Sequence, residues 1–159
     1  MTRIAVSGHR GLSPEIEAFV DQGIRAELAR FASDDLVGLS CLADGADQIF
    51  ARAVVDLGGD LEVFVPAARY RDALPQSAHP AYDELISRAV AVNRLDHVES
   101  TSQSHMDASM EMLKHADMLL AVWDRQPARS FGGTADVVTH AREIGVPVTV
   151  VWPEGAQRT

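Results

Sequence analysis

Cysteine, aromatic residues and positive charge are all scarce in this chain of 159 residues. With Cys41 as the only cysteine, no disulfide can form within the chain. Cys41 lies in the apolar run LVGLSCL with no base partner near it in sequence, and it reads as a buried, inert thiol suited to a reducing compartment. Lys and Arg number 14 against 23 Asp and Glu, a formal net charge of −9. That balance speaks against broad binding to nucleic acid, which rests on neutralising phosphates with Lys and Arg. No apolar stretch approaches the roughly 20 residues of a membrane span, and Met1-Thr2-Arg3 leads into a strand, so the expectation is a cytoplasmic protein with no membrane partner. The 6 histidines show no metal-ligand spacing such as H-E-x-x-H, and neither metal nor cofactor is expected. A serine-hydrolase elbow, G-x-S-x-G, is missing too.

What is present is 47% hydrophobic content, enough for one continuous core. One domain is expected over 1–153, with a loose tail over 154–159. Apolar runs predict strands over 4–7, 36–41, 61–65, 118–123 and 146–152. Each is continuous and not alternating, which implies burial on both faces and a parallel sheet. Between them the pattern predicts helices over 14–31, 46–57, 81–92, about 105–115 and 134–144, plus a short strand-like segment over 95–98. Ser13 before Pro14 is a clear helix start. The fold class is therefore α/β, a single doubly wound Rossmann-like domain with a mainly parallel sheet and core strand order 3-2-1-4-5. The long excursion over 66–115 carries the chain to the other side of the first strand. Met106, Met110 and Met112 fill either core or an interface, and a homo-oligomer is expected.

In such sheets ligands sit outside the carboxyl ends of the strands, where the strand order reverses. Two loops meet there. One is Ser7-Gly8-His9-Arg10-Gly11; the other runs from Asp124 through Arg129 to Gly132-Gly133-Thr134. The second opens a helix, whose first-turn N–H groups and positive dipole end attract an anion. Paired glycines let backbone approach the ligand, with Gly133 expected at positive φ. The plainer reading is a tight connection with Thr134 as a cap. A third loop carries Asp44, Gly45 and Asp47, whose carboxylates either cap the next helix or bind a ribose hydroxyl. Arg10, Arg69, Arg71, Arg125 and Arg129 all fall in segments read as following strands. Asp124 and Asp136 are the weak candidates for acid/base work, although Asp136 in a first helical turn stabilises that helix anyway.

Taken together, SGHRG after the first strand, LADGAD after the second, ADMLLAVWD and then GGTADVV resemble the SLOG superfamily of Rossmann-like nucleotide-ligand domains, from about Arg3 to Val151. That superfamily takes in the Lonely Guy phosphoribohydrolases and the Smf/DprA DNA-processing proteins. LADGAD is similar to the SG-x-A-x-G-x-D segment of the DNA-processing branch, with Ala43, Gly45 and Asp47 matching. Where Lonely Guy enzymes have P-G-G-x-G-T-x-x-E, Val137 stands at the Glu position and Asp136 one residue earlier, rotated about 100° around the helix. The resemblance implies binding of a nucleotide-derived small molecule, as a sensor or binding module. Its alternative implication is a nucleotide-processing hydrolase that cleaves an N-glycosidic bond.

Overall fold

Apolar runs become parallel strands, and the amphipathic stretches between them return the chain over one face or the other. The computed structural model describes residues 1–156. In chain order the elements are β1 (Thr2–Gly8), α1 (Pro14–Leu28), β2 (Leu36–Ser40), α2 (Ala46–Asp56), β3 (Asp60–Ala67), α3 (Tyr70–Ala73), α4 (His79–Arg88), β4 (Ala91–His97), α5 (Ser102–Leu113), β5 (Met118–Val122), α6 (Thr134–Glu143) and β6 (Val148–Val151). All the strands pair in parallel in one sheet, in the order β4-β3-β2-β1-β5-β6. With β4 set aside at the edge beside β3, the remaining order β3-β2-β1-β5-β6 is the expected 3-2-1-4-5, whose fourth and fifth strands are β5 and β6.

Several boundaries moved by a few residues, and two of these shifts have a clear local reason. The helix expected over 81–92 ends at Arg88. The Val90 N–H donates to the Leu61 carbonyl at 2.8 Å, which pulls the apolar run after Arg88 into the sheet as the start of β4. Helix α5 begins at Ser102, ahead of the expected His105. Thr101 caps it, its hydroxyl accepting from the Ser104 N–H at 3.1 Å while the Ser104 hydroxyl accepts from the Thr101 N–H at 2.9 Å. This is a capping box with Ser in the place usually held by Glu or Gln. At α1 the signal read correctly: the Ser13 hydroxyl accepts from the Ile16 N–H and Pro14 fills the first turn.

Ile4, Val6, Leu120 and Val122 pack with Val20 and Ile24 of α1 and Phe50 and Val54 of α2 on one face. On the other, Ala5, Leu39, Leu119 and Ala121 meet Met106, Met112 and Leu113 of α5 and Val137, Val138 and Ala141 of α6. The methionines at 106 and 112 are thus core. Helix α5 links β4 at one edge to β5 on the far side of β1, so the strand order reverses between β1 and β5. Their following loops therefore diverge to opposite faces and leave a crevice between them. Among the described residues no helix is long and apolar enough to cross a membrane. Of the tail expected over 154–159, residues 154–156 form a turn in which the Trp152 indole N–H donates to the Ala156 carbonyl at 3.0 Å. The remaining tail residues, 157–159, lie outside the described ones.

Candidate functional site

A cleft of about 190 Å³ opens at that crevice, walled by the end of β1, the β2 and β3 ends, the start of α5 and the turn before α6. It shares Gly8, Arg10, Ser130, Gly133 and Thr134 with a shallower hollow of about 230 Å³ that reaches His9 and Arg129. Of the residues expected at the site, Ser7, Gly8, Arg10, Asp47, Gly132, Gly133 and Thr134 line the deeper cleft.

The loops are held together by close backbone approach. The Ala46 N–H donates to the His9 carbonyl at 3.2 Å, and a Cβ on Gly45 would come within 2.7 Å of that same carbonyl. Gly45 is also at φ +86, so glycine is required twice over at this start of α2. Neither acid of LADGAD takes the expected capping place. Asp44 receives Arg10, Nε to Oδ1 at 2.8 Å, at the cleft mouth. The Asp47 carboxylate accepts from the Ala43 N–H at 3.3 Å, in the loop before its helix. Asp47 is 8% exposed, and burial, the largest influence, pushes its carboxyl up to about 7 despite the Ala43 bond and Arg10.

His9 is a tether. It is 6% exposed, and its Nε2 accepts from the Asp124 N–H at 3.0 Å and stands 3.1 Å from the Asp124 carboxylate. Unprotonated Nε2 suits the first contact and protonated Nε2 the second, and in both states the β1 loop is fastened to the β5 loop. Trp152 closes over the ring edge-on at 5.2 Å. Asp124 also accepts from the Gln126 N–H at 3.0 Å, and it borders a separate hollow with Arg125, Gln126, Arg129 and Trp152. Asp136 accepts from the Gly132 N–H at 2.9 Å and so fastens the glycine turn to α6. Both candidate acids thus serve backbone, and neither lines the deeper cleft.

The positive φ expected at Gly133 is found one residue earlier. Gly132 has φ +86, whereas Gly133 is extended at φ −72, ψ 176. The reason is contact with α5: a Cβ on Gly132 would come within 2.8 Å of the Ser102 carbonyl. Two other residues of these loops, Leu42 and Arg125, hold left-handed φ without being glycine, strain that only firmly fixed surroundings sustain. Arg69 and Arg71 do not join the cleft; they reach Glu99 and Asp83.

Sequence reasoning missed the α5 wall and the floor. Ser102, His105 and Ser109 line one side, and Tyr70 and Cys41 lie beneath. Burial and the Arg10 guanidinium hold the His105 imidazole below its ordinary value, which favours its neutral form. Burial pushes the Tyr70 phenol and the Cys41 thiol well up, with Asp47 adding to both, and an undissociated thiol is the unreactive form expected of Cys41. The Ser/Thr-rich start of α5 was the one available signal; a lone Tyr after a strand carries none.

No known family model and no curated protein matches the chain. Solved structures do. DNA processing protein A from Helicobacter pylori superposes with TM-score 0.70 at 15% identity, over 94% of this chain and 64% of that one. The same protein from Streptococcus pneumoniae gives 0.58 at 15% identity, over 94% and 58%. TM1055 gives 0.60 at 18% identity, over 93% and 72%. This chain therefore spans less than two thirds of either DNA-processing protein. Fold and topology define a Rossmann-like domain with its crevice at the switch point between β1 and β5. It is the fold that these solved structures share.

Proposed function

We propose that the cleft binds a nucleotide-derived small molecule, its phosphate toward Arg10 and the first turn of α6, and that the protein works in the cytoplasm as a sensor or binding module. The observation that carries this reading is convergence. Arg10 and the turn of Gly132, Gly133 and Thr134 lie far apart in sequence yet wall the same cleft. Asp136 and Val137 donate their N–H groups back to Gly133, which leaves the first-turn N–H groups of Thr134 and Ala135 ahead of the first intrahelical bond. The Helicobacter protein is described as binding single-stranded DNA. The net charge of −9 favours a small ligand here.

Binding shows as thermal stabilisation. A ligand at a hundredfold excess over Kd adds about 2.7 kcal/mol, roughly 5 to 10 °C for a domain of this size. Nucleoside mono- and diphosphates, cyclic nucleotides, ADP-ribose and NAD form the panel, with an oligothymidylate beside them. We expect one or more of the small molecules to raise the midpoint and the oligonucleotide to leave it unchanged. A flat response to every small molecule at millimolar concentration rejects the reading.

The hydrolase alternative has one observation behind it, and it concerns Asp47, not Asp124 or Asp136. A buried carboxyl titrating at about 7 in a cleft has the properties of a general acid for a leaving base. Yet no second carboxyl lines the deeper cleft to activate water. We expect overnight incubation with nucleoside 5′-monophosphates to release no free base above background by chromatography. Base release that disappears in Asp47→Asn while binding persists would establish the hydrolase instead.

A further inference from the structure

We propose that Phe131 is the stacking face of the cleft, so that its ligand is a nucleotide with an aromatic base and not a bare phosphosugar; this rests on the nucleotide reading above. Phe131 lines the deeper cleft yet is 55% exposed, an aromatic ring on the lip of a site whose other walls are mostly small and polar. The ring is presented by a fixed turn. On one side the Gly133 N–H donates to the Ser130 carbonyl at 3.3 Å. On the other the Gly132 N–H is held by Asp136, and Gly132 itself lies against the Ser102 carbonyl too closely for any Cβ. Such a ring, with two torsions of its own and an anchored backbone, loses little freedom when a planar group settles on it.

The other two aromatic rings of the cleft, Tyr70 and His105, already meet each other. Tyr70 is 3% exposed and meets His105 edge-on at 5.6 Å and Tyr82 at 6.2 Å. The hydroxyls of Ser102, Ser109 and Ser130 beside the lip suit the polar edges of a base or ribose. Arg10 and the α6 turn take the phosphate at the shallow end, which orients a nucleotide with its base toward Phe131. Stacking of a base on an aromatic side chain is sequence-tolerant and strengthens binding by about five- to a hundredfold.

Calorimetric titration with adenosine 5′-monophosphate and with ribose 5-phosphate tests the assignment, using the wild type, Phe131→Ala and Phe131→Trp. The exposure of Phe131 means that these variants keep the fold, which circular dichroism checks. The wild type should bind the nucleotide about tenfold or more above the sugar phosphate. Phe131→Ala should erase that difference by weakening the nucleotide alone, and Phe131→Trp should retain it. If the wild type binds both probes equally, or Phe131→Ala weakens both or neither, the stacking role is wrong while the phosphate site stands. If the wild type binds neither probe, the nucleotide reading fails and this inference falls with it.

Discussion

Asp47→Asn should melt of order 10 °C above the wild type at pH 8 and within error of it at pH 4. The buried Asp47 carboxyl is pushed up from 3.8 to about 7, chiefly by burial and further by Asp44, while the Ala43 N–H and Arg10 pull it down. Over that window the folded protein holds a proton that the unfolded chain has released. Folded stability then falls as pH rises, because the native state binds more protons than the unfolded state. The loss is complete above the folded value and amounts to about 4 kcal/mol, at about 1.4 kcal/mol for each unit of displacement. Asparagine matches the shape, keeps an acceptor for the Ala43 N–H and has no proton to lose. At roughly 2 to 4 °C per kcal/mol for a domain of this size, thermal melts at the two pH values read the effect directly. An equal shift at both would mean that Asp47 titrates in the folded protein as it does in the unfolded chain, and a less stable variant at pH 8 would mean that the native carboxylate is ionised and paired, most simply with Arg10. The same titration bears on ligand binding. Below about 7 the neutral Asp47 leaves Arg10 to face an anion unopposed except by Asp44, and above it a second negative charge enters the cleft.

Continuous apolar runs at β1, β2, β3 and β5 announced strands covered on both faces, and a parallel sheet with those spacings leaves few topologies. The β1 and α6 loops were legible because glycine beside a helix start has few structural uses. The edge was not: AVAV before Asn93 has no period of its own, and the Val90 bond to Leu61 decides it. The roles of the polar residues were the least legible. His9, Asp124 and Asp136 look like site chemistry in one dimension, but each also binds a backbone N–H of loops that must be fastened together. His105, Tyr70 and Phe131 look ordinary until the crossover from β4 through α5 brings the first beside a cleft that the others floor and flank.

Gly132→Val should lower affinity for adenosine 5′-monophosphate by a hundredfold or more while far-UV circular dichroism stays that of the wild type. Two costs act together. A branched side chain at φ +86 is strained by about 1 to 3 kcal/mol, and its Cβ would stand 2.8 Å from the Ser102 carbonyl. That oxygen belongs to the first residue of α5, a helix packed on the sheet, and it cannot yield as a flexible side chain would. The glycine turn must move instead, which carries Phe131 and the first-turn N–H groups of α6 away from Arg10. The sheet and both faces of the core lie outside this movement, so the fold survives. Gly145→Val separates the two costs. Gly145 has φ +80 at the far end of α6 with nothing within 4 Å of an added Cβ, so it suffers the strain without the collision. That variant should lose some stability and keep its affinity. Full affinity in a folded Gly132→Val protein would show that the ligand does not depend on this turn, and loss of affinity in both variants would trace the effect to general destabilisation. Loss in Gly132→Val alone places the anion where the β1 loop, α5 and α6 meet.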